Sequence, residues 1–148
     1  MKKNPELAMT KWAAHISWQD GVQNQIAIRD FEPLITDEPD KLGGTDNAPN
    51  PVEYLLGAAG SCFAITFEVL ASQQGIKLEK VEVDIEADLN AAVFLGLEEG
   101  NGGIVNPIIK LKTVTSATKE QVNEIAEIAL SKSPVLVSIK PKLELIVL

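Results

Sequence analysis

The sequence predicts an α+β fold: antiparallel sheets around a long buried central helix, plus a second helix. Three observations carry this prediction. Period-two alternation of apolar and polar residues marks several strands, a long apolar segment follows Asn50, and an amphipathic helical pattern begins at Thr118. The elements run in the order three strands, helix, two strands, helix, strand. This grouping is typical of α+β proteins with largely antiparallel sheets.

The N-terminal region predicts a three-stranded sheet. Residues 12–18 alternate strictly, which is typical of a half-buried strand. The Asp-Gly pair within Gln19–Asp20–Gly21 favours a hairpin turn, so residues 22–31 should form the return strand. Residues 34–36 can add a third strand, and a polar loop over residues 37–50 follows.

Sequence signals mark both ends of the first helix. Asn50 fits the N-cap, Pro51 the first helical position and Glu53 the third position of a capping box, while Gly75 ends the helix. The segment would be about 24 residues and about 36 Å long. We interpret Glu53 as a capping carboxylate rather than a catalytic group.

The first helix is apolar on nearly all sides. Residues 55–71 carry one charge, Glu68, and lie at the short limit for a membrane span, so we predict a core helix and no membrane partner. One small sheet cannot easily cover such a helix. A homodimer that wraps the helix from both sides would bury it, and we expect more than 2,000 Å² to be buried in that interface.

The C-terminal half predicts two more long strands, a helix and a last strand. Residues 81–89 alternate apolar with acidic residues, and residues 108–114 alternate apolar residues with lysines that can face the acidic row. An irregular, glycine-containing segment separates these strands. The second helix begins at Thr118 and ends near Ser133–Pro134, and residues 143–147 form the last strand.

Length, charge and cysteine content limit the possible classes. A chain of 148 residues with these proportions is expected to form a single domain over residues 1–148. A net charge of −8 argues against nucleic-acid and anionic-membrane partners. One cysteine cannot form an intrachain disulfide, and Met1–Leu7 has no apolar signal segment behind its lysines. We therefore expect a cytoplasmic protein.

Cys62 is the single cysteine and lies in the middle of the apolar helix. A buried cysteine can act as a small hydrophobe and nothing more. Cys62 lies beyond the first turn, where the helix dipole acts, and apolar burial favours the neutral thiol. Reactivity would thus require a nearby cation: Arg29, the single arginine, His15 or a lysine. Arg29 and His15 are both expected on the polar faces of strands. One Cys and one His do not make a metal site, so we predict no metal and no cofactor.

These motifs resemble the OsmC/Ohr family of osmotically inducible and organic hydroperoxide resistance proteins. The matching segments are Leu42–Gly43–Gly44, residues 50–56 (NPVEYLL), Gly60–Ser61–Cys62 and Ser133–Pro134–Val135. The resemblance covers nearly the whole chain. It implies an intertwined homodimer with two sites at the dimer interface, and reduction of organic hydroperoxides by cysteine.

The family chemistry uses four groups: a peroxidatic cysteine, a resolving cysteine, and a glutamate and an arginine that tune the thiolate. By the resemblance, Cys62 is the peroxidatic cysteine, and Ser133 stands where the resolving cysteine would precede Pro134. Val52 stands at the glutamate position, and Gln19–Asp20–Gly21 occupies the hairpin that would carry the arginine. One of the four groups is therefore in place.

Two hypotheses follow. The first is a one-cysteine organic hydroperoxide reductase in which Cys62 reacts, Arg29 activates the thiol, Ser133 hydrogen-bonds at the site, and an external thiol regenerates it. The second is a non-catalytic homodimer that binds a small apolar ligand in its interface pocket. In a version of the second, Cys62 only fills the core.

Overall fold

A computed structural model of the chain describes Asn4 and residues 8–148. Residues 1–3 and 5–7, where the sequence predicts no signal segment, lie outside the described residues. The chain forms two compact units, Met1–Tyr54 and Leu55–Leu148, and the boundary falls within the first turn of the long helix. The single-domain expectation stays a prediction.

The first unit contains a three-stranded antiparallel sheet. Its strands are β1 (His15–Asp20), β2 (Gln23–Ala27) and β3 (Leu34–Thr36), and they are hydrogen-bonded in the order β1-β2-β3. Asp20 pairs with Gln23, so the hairpin loop has two residues, and Gly21 opens it with φ of +53°. The predicted hairpin is confirmed, although β1 begins three residues after Trp12.

The prediction that the second strand continues to Phe31 is wrong. The strand β2 ends at Ala27, and the Phe31 N–H donates to the Ile28 carbonyl at 3.3 Å, which closes a turn. Arg29 within this turn has φ of +50°, a left-handed conformation outside the regular β region. Arg29 therefore lies in a turn and not on the polar face of a strand.

The second unit holds the remaining elements. In chain order they are α1 (Pro51–Gln73, whose first turn belongs to the first unit), β4 (Leu78–Asp88), α2 (Ala91–Phe94), β5 (Val105–Thr115), α3 (Lys119–Lys132), α4 (Pro134–Ser138) and β6 (Glu144–Val147). The predicted ends of the two long helices are confirmed. Gly75 follows α1 with φ of +72°, and Thr118 and Gln121 form a capping box on α3. The short helices α2 and α4 were not predicted.

The second sheet has the order β4-β5-β6 and is mixed. The strands β4 and β5 are antiparallel, whereas β5 and β6 are parallel. A parallel neighbour requires a long crossover, and α3 with α4 provides it. The expectation of largely antiparallel sheets therefore fails at β6. On the outer face Lys110 Nζ lies 2.9 Å from Glu86 Oε1, so a lysine does face the acidic row.

The core of the second unit lies between α1, the sheet and α3. The helix α1 buries one face, made of Ala59, Gly60, Phe63, Phe67 and Ala71. A Cβ added at Gly60 would lie 3.2 Å from Ile85 Cγ2 on β4, which shows how closely the helix approaches the strand. Further core residues come from β5, α3, α4 and the position just before β6: Ile109, Leu111, Val122, Ile125, Ala126, Ala129, Leu136 and Leu143.

The other side of α1 is exposed in the single chain. Ile65 and Val69 are 57% and 50% exposed, although both are large and apolar. The prediction of a buried central helix therefore holds along one face only. By length and composition alone α1 could cross a bilayer, but the core helix of a soluble protein has the same features, so this is weak evidence for a membrane.

Candidate functional site

The N-terminus of α1 is fixed by a reciprocal cap. Asn50 Oδ1 accepts the Glu53 N–H at 2.9 Å, and Glu53 Oε2 accepts the Asn50 N–H at 2.8 Å. Pro51 fills the first helical position, where a backbone N–H would have no partner within the helix. Glu53 is thus engaged as a cap, as predicted, and this cap sets the point from which the helix runs to Cys62.

Cys62 is a free cysteine in the middle of α1, and its residue is half-buried. It lies next to Phe63, which points into the core. The Cys62 carbonyl accepts a hydrogen bond from Thr66 Oγ1 at 2.8 Å, one turn further along the helix. Within residues 55–148, the unit that holds it, the thiol makes no hydrogen bond. The sulfur therefore accepts no hydrogen bond within this unit, and the residue is not fully buried.

Ser133 lies at the junction between α3 and α4 and is fully buried. Pro134 follows it, and a residue before proline is driven out of the helical region. Ser133 accordingly has φ of −70° and ψ of 114°, and α3 ends there. Its side chain points back along α3 toward α1.

The Ser133 hydroxyl is directed at two carbonyl groups. It donates to the Ala129 carbonyl at 2.7 Å and lies 3.5 Å from the Cys62 carbonyl. One hydroxyl has one proton, so the short bond to Ala129 dominates. Ser133 therefore contacts the backbone of Cys62. Its hydroxyl donates its hydrogen bond within α3, to Ala129, and not to the Cys62 sulfur.

The two other candidates lie in the first unit. Arg29 is exposed, and its guanidinium carbon lies 4.6 Å from the centre of the Phe31 ring, a cation–π arrangement. Among the described residues Arg29 makes no ion pair. His15 is the first residue of β1, pairs with Ala27 and is exposed. Both candidates are therefore exposed side chains of the first unit.

The Leu42–Gly43–Gly44 segment forms a tight loop that needs both glycines. Gly43 has φ of +86° and follows a 3-10 turn over Asp40–Leu42. A Cβ at Gly44 would collide with the backbone carbonyl of Glu38, so no other residue fits without moving the chain. The motif that carried the resemblance therefore has a steric cause in this chain.

Asp37 holds this loop together, and sequence reasoning missed it. Its carboxylate is almost fully buried and accepts bonds from Thr45 Oγ1 at 2.6 Å, from Gln23 Nε2 at 3.2 Å, and from the N–H groups of Glu38 and Asn47 at 2.8 and 3.2 Å. These bonds, that from Thr45 foremost, hold the Asp37 pKa far below its usual range. The available signal was an aspartate at a strand end followed by a loop rich in Thr, Asn and Gly.

The sequence profile of the OsmC-like protein family matches residues 44–147 of the chain, well over half of its length. This protein belongs to the OsmC-like protein family. Cys62 and Ser133 lie within the matched region, while Arg29, His15 and Asp37 precede it. The resemblance noted in the sequence is confirmed.

Solved structures share the fold of this OsmC-like protein at low sequence identity. The OsmC-like protein from Mycoplasma pneumoniae has a TM-score of 0.81 at 13% identity, over 94% of this chain and 96% of that one. An organic hydroperoxide resistance protein from Elizabethkingia anophelis has a TM-score of 0.73 at 17% identity, over 93% and 96%. One from Legionella pneumophila, also described as a predicted redox protein, has a TM-score of 0.70 at 20% identity, over 94% and 98%.

A curated relative is the uncharacterized protein YmaD from Bacillus subtilis. It is 31% identical to this OsmC-like protein over 72 residues. The match spans 47% of this chain and about half of the relative, 48%. Fold and family are thus established, while the activity is a matter for proposal.

Proposed function

We propose that this OsmC-like protein is a one-cysteine organic hydroperoxide reductase whose reactive group is Cys62. The observation that carries the proposal is the state of that thiol: half-buried, free, and without a hydrogen bond inside its own unit. Some relatives of similar fold are described as organic hydroperoxide resistance proteins, which supports the reaction class. We also propose a cytoplasmic location, where thiols are kept reduced.

The proposed reaction has two stages. The Cys62 thiolate attacks one oxygen of the hydroperoxide, the O–O bond breaks, and the alkoxide leaves as an alcohol after taking a proton; the cysteine becomes a sulfenic acid. An external thiol then attacks the sulfenic sulfur, which releases water and forms a mixed disulfide. A second thiol molecule attacks that disulfide, restores Cys62 and leaves as the oxidised reductant.

Ser133 explains why an external reductant is part of the proposal. A resolving cysteine at this position would meet the helix of Cys62, because the Ser133 hydroxyl already lies against the Cys62 carbonyl. A hydroxyl cannot form a disulfide, so the sulfenic acid must be reduced from outside. The role proposed for Ser133 is to join α3 and α1 at the site.

We propose that the protein acts as a homodimer. The support is the apolar surface that a single chain exposes, on α1 and throughout the first unit. Among the described residues of Met1–Tyr54, only Thr36 and Asp37 are fully buried. The exposed large apolar residues there include Trp12, Ile16, Trp18, Phe31 and Leu34. A surface this apolar is typical of a permanent interface.

Arg29 is the proposed activator of the thiol. The guanidinium stacks on Phe31 and makes no ion pair among the described residues, so no carboxylate neutralises its charge there. Within residues 55–148 the two ion pairs both lie on the β4–β5 face, Lys80 with Glu82 and Lys110 with Glu86. We propose Arg29 rather than a lysine because it is the single arginine of the chain and takes part in neither of these pairs.

The proposal is tested by mixing the reduced protein with cumene hydroperoxide and trapping sulfenic acid. We expect rapid modification of Cys62, a mixed disulfide when a small thiol is added, and catalytic turnover. Cys62→Ser should abolish all three, and Ser133→Ala, a matched change on the other side of the junction, should retain them. An unmodified Cys62 after excess peroxide would contradict the proposal.

The second candidate function is non-catalytic binding of a small apolar ligand at the dimer interface. The exposed apolar residues of α1, among them Leu55, Ile65 and Val69, favour it, because an apolar cavity between subunits needs no charged groups. In this case the Cys62→Ala protein should bind an apolar fluorescent probe as tightly as wild type. The hydroperoxide would leave both proteins unchanged.

A further inference from the structure

The loop between α2 and β5 contains an asparagine followed by glycine, and this pair lies outside the proposed site. Of the asparagines in the chain, Asn101 is the one followed by glycine, Gly102. Both residues are exposed, and so is Gly103, which lies at a bend. We propose that Asn101 is a site of spontaneous deamidation, a backbone-assisted modification that the folded loop promotes. It does not depend on the hydroperoxide chemistry of Cys62.

The chemical step uses only the loop and water. The Gly102 amide nitrogen, once deprotonated, attacks the Asn101 side-chain carbon Cγ and forms a five-membered imide. The Cγ–Nδ2 bond breaks, and Nδ2 leaves as ammonia after taking up the proton. Water then opens either C–N bond of the imide, which gives aspartate or isoaspartate at position 101. No oxidant or reductant is needed.

The loop holds Asn101 in position for this attack. Its Oδ1 accepts the Gly103 N–H at 3.0 Å, and this bond folds the side chain over the intervening Gly102 amide. When Gly102 attacks Cγ, negative charge develops on the same Oδ1. The Gly103 N–H already points at that oxygen, so it stabilises the intermediate as a donor in an oxyanion hole does.

The leaving group and the nucleophile are both unobstructed. Among the described residues Asn101 Nδ2 donates no hydrogen bond, so its departure breaks none. Gly102 has no Cβ to shield its nitrogen, and with glycines at 100 and 103 the backbone can turn into the attacking geometry. The loop therefore combines a positioned electrophile, an open nucleophile and an oxyanion donor.

Two other asparagines are built-in controls. Asn90 makes the same type of bond, because its Oδ1 accepts the Ala92 N–H at 3.0 Å. It is followed by Ala91, and its Nδ2 is held by Glu98 Oε2 at 3.0 Å. Asn106 precedes Pro107, which has no N–H to become the nucleophile. Asn90 therefore lacks both the following glycine and a free Nδ2, and Asn106 lacks the backbone nucleophile and donates its Nδ2 to Asp88 at 3.1 Å, so both should react more slowly than Asn101.

The test follows position 101 by peptide mapping during incubation of the native protein at neutral and mildly alkaline pH. We expect aspartate and isoaspartate to accumulate at 101, faster at the higher pH, while Asn90 and Asn106 stay intact. Each event should add one negative charge to the net −8. Gly102→Ala should slow the reaction by about fivefold or more. Gly103→Pro, which removes the oxyanion donor, should slow it as well.

The decisive comparison is between the folded and the urea-unfolded chain. If the loop assists the reaction, Asn101 in the folded protein reacts at least as fast as in the unfolded chain. A slower rate in the folded protein, or equal rates at Asn101 and Asn90, would overturn the proposal. Circular dichroism of both glycine variants shows whether the fold is retained, and Gly102→Ala alone suffices if Gly103→Pro misfolds.

Discussion

Replacing Ile65 with aspartate should separate the two copies of the proposed dimer. Ile65 is 57% exposed and Val69 on the next turn is 50% exposed. Full burial of such a side chain contributes about 1.5–3 kcal/mol, so covering the exposed half of Ile65 contributes roughly 1 kcal/mol in each protomer. An unpaired carboxylate placed there would add several kcal/mol more. We expect the dimer to weaken by roughly a thousandfold or more.

Sedimentation velocity over a range of protein concentrations measures this effect. The matched control is Asn123→Asp on the exposed side of α3, which adds the same single negative charge but removes no apolar contact. If the homodimer is obligate, the Ile65→Asp protein should also unfold at lower temperature as it is diluted. A wild-type protein that is monomeric and folded at micromolar concentration would refute the reasoning, as would an Ile65→Asp dimer of unchanged affinity.

Three further predictions concern single side chains. Ser133→Ala should lower the free energy of unfolding by only about 0.5–1.5 kcal/mol, because the Ala129 carbonyl keeps its hydrogen bond from the backbone N–H of residue 133. A larger decrease, measured by urea unfolding, would mean that the hydroxyl contact with the Cys62 carbonyl contributes more than its length implies. Arg29→Ala should slow alkylation of Cys62 by iodoacetamide at neutral pH, and Arg29→Lys should recover part of the rate; identical rates would remove Arg29 from the site. The low pKa of Asp37 makes its contribution to stability complete above about pH 4, the ordinary carboxyl pKa, and lost as the pH falls below it. The melting temperature of Asp37→Asn should therefore lie below that of wild type at neutral pH and approach it in acid, and parallel curves would contradict this role.

Local sequence signals predicted the elements whose causes are local. The cap of Asn50 and Glu53, the stop at Gly75 and the capping box at Thr118 all depend on residues a few positions apart, and the structure contains each of them. The second strand was predicted too long because apolar alternation continues through Ile28, whereas the backbone turns at Arg29. Nothing in the alternation reports a positive φ.

The contacts that define the site could not be predicted from local sequence signals. Ser133 and Cys62 are 71 positions apart, and their approach depends on how α3 packs on α1. The parallel pairing of β6 depends on the crossover, and the binding partners of Asp37 lie up to 14 positions away. Periodicity specifies which face of an element is apolar but not which element covers it. The resemblance to a family supplied the pairing of Cys62 with position 133 that pattern reasoning could not.

The described part of the first unit, Asn4 and residues 8–54, contains no buried apolar residue, and this has a consequence for synthesis of the protein. The first unit leaves the ribosome before the second, with Trp12 and Trp18 78% and 68% exposed and with unpaired outer edges on β1 and β3. Such a segment gains too little burial to offset the entropy of ordering it, so it should stay unfolded on the nascent chain. Until the second unit has been synthesised, the unpaired strand edges can pair with those of another nascent chain. The time needed to translate the residues after Tyr54 would therefore determine how long the chain is prone to aggregate.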